Sequence, residues 1–168
     1  MKNSTRTIAV TIAAGAMLAG GVATAGIAQA MPSDSNTCAP GDVTAQVSVG
    51  SSPTPQDKLF RIKFTAKPGV SCLMTGSPAN LAFYSGSGEQ LGVEGFQSEP
   101  GSAKQVRIDE QHPAEVYVRT PDAHTPGAPA TSATFTMPNS GPGIDFKVAW
   151  PADLNGPAEV SPVSAPVS

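Results

Sequence analysis

Apolar and polar residues alternate one for one along three segments of this chain. Val43, Ala45, Val47 and Val49 are interleaved with Thr44, Gln46 and Ser48. Phe60, Ile62, Phe64 and Ala66 are interleaved with Arg61, Lys63 and Thr65, and Ile144, Phe146, Val148 and Trp150 with Asp145, Lys147 and Ala149. In an extended chain successive side chains point to opposite sheet faces, so each segment predicts a strand with one face in a core and one in water. Shorter candidates lie at residues 71–75, 80–85, 103–109, 114–120 and 133–137. Turn-forming residues separate them at close intervals: Ser51-Ser52-Pro53, Lys67-Pro68-Gly69, Gly76-Ser77-Pro78, Ser85-Gly86-Ser87-Gly88, Pro100-Gly101 and Pro138-Asn139-Ser140-Gly141. The pattern predicts an all-β fold of about seven to nine short antiparallel strands in a two-sheet sandwich, with an open β-barrel as the alternative. No segment carries a helical stripe longer than three turns.

The two ends of the chain break this rhythm. Lys2 and Arg6 precede an uncharged run from Ile8 to Ala30 that closes on Ala28-Gln29-Ala30. A basic start, an apolar stretch and small residues at the −3 and −1 positions are what a signal peptidase reads, so residues 1–30 are expected to be a cleavable signal peptide and Met31 the mature start. The run reaches membrane-spanning length, but it is rich in Ala and Gly and has no basic flank behind it, which favours cleavage over a retained anchor. A lipoprotein is disfavoured because the first cysteine, Cys38, lies beyond the cleavage region. Residues 31–37 read as a flexible leader and 38–163 as the folded domain. Within residues 151–168, Pro, Ala, Ser and Val predominate; 159–163 is expected to add a short edge strand, and 161–168, above all 164–168, a solvated tail.

Removing the signal leaves 138 of the 168 residues, the size of one domain. With Lys2 and Arg6 gone from the 10 basic residues, 8 face 13 acidic ones, a net charge of −5. A mildly acidic chain without a basic cluster argues against nucleic acid and against anionic lipid surfaces as partners. All 17 prolines and 13 of the 17 glycines follow residue 30, which favours turns over helices. Cys38 and Cys72 both follow the signal, and an exported pair without C-x-x-C spacing is expected to form a structural disulfide.

Catalytic chemistry finds little to use. His112 and His124 stand beside prolines in loop-like sequence, with no Asp at a spacing that suggests an orienting partner. There is no G-x-S-x-G elbow and no S-x-x-K, and Gly86-Ser87-Gly88 reads as a hairpin turn. Asp109 and Glu110 are adjacent and, on a strand, would point to opposite faces. No metal-ligand spacing is present. Copper could draw on His112, His124, Met74 and Met137, but methionine at strand positions is ordinarily core filler. No catalytic, cofactor or metal residue is therefore assigned.

The run Cys72-Leu73-Met74-Thr75-Gly76-Ser77-Pro78, followed by a strand and a glycine hairpin, resembles the C-x-L-x-G-x-P signature of a secreted actinobacterial domain family of unknown function. Cys38 matches that family's first cysteine, residues 43–49 and 60–66 its next two strands, and Ser161-Pro162-Val163 its closing stretch. Met74 stands where the family usually has Leu, and a second cysteine pair common in members is absent. The resemblance implies an immunoglobulin-like sandwich bridged by Cys38–Cys72, at or beyond the cell envelope, with no activity attached. The sequence is thus expected to encode an exported, non-catalytic module that binds or scaffolds an unknown envelope or extracellular partner and keeps no transmembrane anchor after processing. A secreted protease inhibitor presenting residues 120–131 is the alternative, and an enzyme with an unrecognised site the third reading.

Overall fold

A computed structural model describes residues 37–98, 101–122 and 126–167. The expected signal peptide with its cleavage residues Ala28, Ala30 and Met31, the leader up to residue 36, and His124 lie outside the described residues.

Ten strands are present among the described residues: β1 (Val43–Gly50), β2 (Asp57–Ala66), β3 (Cys72–Met74), β4 (Ala79–Tyr84), β5 (Gly95–Gln97), β6 (Val106–Ile108), β7 (Ala114–Pro121), β8 (Ser132–Thr136), β9 (Phe146–Ala149) and β10 (Ala158–Val160). They form a five-stranded sheet in the order β1-β2-β7-β10-β5, a three-stranded sheet β4-β8-β9 and a two-stranded sheet β3-β6. All pairings are antiparallel except β10 with β5. The fold is an open β-sandwich rather than a barrel.

β2 is the spine of the larger sheet. Its aromatic and β-branched inner row suits a pleated, covered surface, and Phe60, Ile62 and Phe64 have no solvent exposure at all. β1 and β7 flank it in continuous register, Val47 opposite Ile62 and Val116 opposite Ile62 from the other side. The facing sheet supplies Phe83, Phe135 and Val148, with Trp150 just beyond β9. Aromatic pairs join the layers: Phe60 lies 4.6 Å from Trp150, and Phe64 lies 6.0 Å from Phe135 and 5.9 Å from Phe146, centroid to centroid. Burying each such side chain contributes about 1.5–3 kcal/mol, and the edge-to-face geometry adds to it.

The cysteines are joined as anticipated. Cys38–Cys72 ties the approach to β1 to the start of β3, with both residues buried, and the Cys38 N–H donates to the Leu73 carbonyl at 2.9 Å. Glycine is needed in the anticipated turns at Gly69 (φ +76°), after Pro68, and at Gly88 (φ +84°), which closes the loop whose arms meet at Tyr84 and Gln90.

Several expectations are corrected. Among the described residues there are ten strands where about seven to nine were expected, and two of them form a separate third sheet. β5 escaped notice because Gly95, Phe96 and Gln97 are all exposed and show no alternation. β10 is not an edge strand but lies between β7 and β5. Ile144, assigned inward by alternation, is 61 % exposed. The strand starts only at Phe146, because Asp145 turns back to accept the Met137 N–H at 2.8 Å. Val49, at the far end of edge strand β1, is also exposed. Residues 161–164 are docked: Val163 is buried, and Ser164 exchanges backbone hydrogen bonds with Glu115 at 2.8 and 2.9 Å.

Candidate binding groove

β7 alternates as the sequence predicts, and its two rows have different fates. Val116, Val118 and Thr120 enter the core, so Glu115, Tyr117 and Arg119 take the opposite face. Beyond β10 the chain continues beside β7: the Ser161 N–H donates to the Tyr117 carbonyl at 2.9 Å, and the Tyr117 N–H donates back to Ser161 Oγ at 2.9 Å. Pro162 cannot donate to a ladder, and the next backbone exchange is at Ser164. Between this terminal segment and β6 with its flanking loops runs a groove of about 720 Å³.

Val106, the Tyr117 ring, Pro162 and Ala165 give the groove apolar surface, while Lys104, Arg107 and His112 add basic or imidazole groups. No carboxylate among the described residues lines it. Two acids stand close by, each already engaged. Glu115 is 3 % exposed; its Oε2 accepts the Tyr117 hydroxyl at 2.8 Å, and its Oε1 lies 3.6 Å from Arg61. Burial, and then the hydrogen bond to the Glu115 carboxylate, hold the Tyr117 phenol above its ordinary pKa. Asp109 meets His112 Nδ1 at 2.8 Å and accepts the backbone N–H groups of Gln111 at 2.9 Å and His112 at 2.8 Å. The His112 hydrogen bond, despite some desolvation, holds the Asp109 carboxyl below its ordinary range.

This pair corrects the sequence reading, in which His112 had no orienting Asp and Asp109 belonged to a strand. β6 ends at Ile108, and Asp109 opens a turn that brings residue 112 back over it. An acid that can cap its own turn two and three residues on was the available signal. Nothing in the pattern marked Lys104, Arg107 and Tyr117 as neighbours, since their strands and loops meet only through the sheet order. His112 remains exposed, as its loop position implied.

Other candidates are dispersed. Met74 and Met137 are both buried in the core, which is the filler role, and no group of three or more potential metal ligands occurs among the described residues. Within the stretch 120–131, Ala128 exchanges backbone hydrogen bonds with Leu154 at 2.8 and 3.2 Å, and Ala130 is buried. Residues 123–125 there are not among those described. A second concavity of about 380 Å³ lies between edge strands β1 and β9 and is lined by Ala45, Gln46, Val47, Lys147, Val148 and Ala149. No described helix is long and apolar enough to cross a membrane.

Comparison with protein-family models, with curated proteins and with solved structures returns no match.

Proposed function

We propose that this protein is an exported, non-catalytic binding module whose ligand occupies the groove over Tyr117. The observation that carries the reading is the groove itself: about 720 Å³, within the roughly 300–1,000 Å³ typical of small-molecule sites, with apolar surface and a few polar groups gathered around it. Export is supported by the uncharged run ending in Ala28-Gln29-Ala30 and by the Cys38–Cys72 disulfide, a bond suited to an oxidising compartment. Binding is favoured over catalysis by how the local groups are engaged. Ser161 Oγ accepts from Tyr117 and donates to the Pro162 carbonyl, and Ser164 Oγ donates to the Glu115 carbonyl at 3.4 Å. Neither serine is paired with His112 as an activated nucleophile would be with its base.

Ala165 is exposed at the groove, so Ala165→Trp should fill it without disturbing the core. Native mass spectrometry of protein recovered from the envelope or medium of the expressing cells should find a bound molecule on the wild type and none on the variant, at equal melting temperature. The same cargo on both would overturn the reading. N-terminal sequencing of the recovered protein should begin at or within a few residues of Met31; a start at Met1 would remove the export claim.

A further inference from the structure

We propose, building on the groove as the binding site, that its ligand is a single-chain amphiphile with an apolar body and one terminal anionic group. Most of the ion pairing on this protein lies elsewhere. Arg61 meets Glu115, Arg119 meets Asp57 and Glu159, and Lys58 meets Asp122. Lys104 and Arg107 meet no carboxylate among the described residues; the Arg107 guanidinium reaches only the Ser71 hydroxyl, at 3.4 Å. These two share one concave surface with His112. Asp109 accepts from Nδ1 of that imidazole, so Nε2 donates to an anion when the ring is protonated.

A concavity lined by cations and by no acid among the described residues, on a chain of net charge −5 after the signal, runs against the overall electrostatics and is complementary to an anion. The nearby carboxylates do not cancel it. Asp109 is neutralised by His112 when the imidazole is charged and is capped by two backbone N–H groups in either state. Glu115 is covered, bonded to the Tyr117 hydroxyl and set against Arg61. Val106, the Tyr117 ring, Pro162 and Ala165 offer apolar surface that an inorganic anion would leave unused, so the anion must carry a hydrophobic body.

The test uses four probes below their micellar concentrations: dodecanoate, dodecyl phosphate, dodecanol and dodecyltrimethylammonium, with acetate and inorganic phosphate as head-only controls. Calorimetry gives affinity, and amide chemical shifts give location. Both anionic amphiphiles should move the resonances of Val106, Tyr117 and Ala165. They should bind at least tenfold more tightly than the alcohol or the cation, and the head-only anions should leave those resonances in place. Lys104→Ala combined with Arg107→Ala should abolish the preference at unchanged melting temperature. Equal binding of dodecanol, or groove shifts from acetate or phosphate alone, would overturn the amphiphilic-anion proposal while leaving the groove as a site. So would silence of all probes at the groove while Ala165→Trp still strips the native cargo. Silence together with cargo retained by that variant would overturn the binding reading as well.

Discussion

The two faces of β7 are built from one short sequence and do opposite work. Towards the sandwich, Val116 and Val118 are wholly buried and add to the layer of Phe60, Ile62 and Phe64. On the other face, Glu115, Tyr117 and Arg119 are tied up in polar contacts: Tyr117 with Glu115 and Ser161, Arg119 with Asp57 and Glu159. The inner face derives its energy from area removed from water, which is non-directional. The outer face depends on directional bonds, and those of Tyr117 to Glu115 and to Ser161 hold the Tyr117 side of the groove. A strand can therefore specify the fold with one row and the candidate site with the other, and substitutions should separate the two.

The largest effect belongs to the inner row. Phe64→Ala, at a position with no exposure and two aromatic neighbours across the sandwich, should cost about 3–5 kcal/mol in chemical denaturation through the cavity it leaves. A loss below about 1 kcal/mol would mean that the β2 register is wrong.

On the outer row the effect should be smaller and dependent on pH. Tyr117→Phe removes the donor to a buried Glu115 carboxylate and should cost about 1–3 kcal/mol near neutrality. The wild-type phenol has a folded pKa above its unfolded value of about 10. Its contribution is therefore fully present below about pH 10 and is lost as pH rises through the folded value. Alkaline scans should show this extra destabilisation in the wild type and not in the Phe variant.

The smallest effect lies at the groove-side turn. Nuclear magnetic resonance titration should place the Asp109 carboxyl below its ordinary midpoint, and His112→Ala should raise it towards that value with no resolvable change in melting temperature. A midpoint unmoved by the substitution would show that the imidazole does not hold the carboxylate in solution.

Legibility in the sequence follows the same division. Period-two alternation revealed residues 60–66 of β2 because β2 has partners on both edges and a covered face along its inner row, while its start at Asp57 went unread. The same alternation misled at Ile144, which precedes edge strand β9 and lies beyond its first residue, Phe146. β5 and the true place of β10 were hidden because three-residue strands carry too few positions to show a period. The disulfide was legible from compartment and count. The groove was not, because Lys104, Arg107, His112, Tyr117 and Ala165 come from β6 with its flanking loops, β7 and the terminal segment, whose adjacency depends on sheet order. Only the Asp109 turn had a local signature.

Residue-resolved amide hydrogen exchange, on protein carrying its co-purified cargo and on the same protein after solvent extraction, tests the division of labour most directly. Cargo should slow exchange in Val106–Ile108 and in residues 161–165, the two walls of the groove, and leave β2 unchanged. Protection confined to β1 and β9, where the smaller concavity lies, would contradict the account and move the site to the β1 edge of the five-stranded sheet.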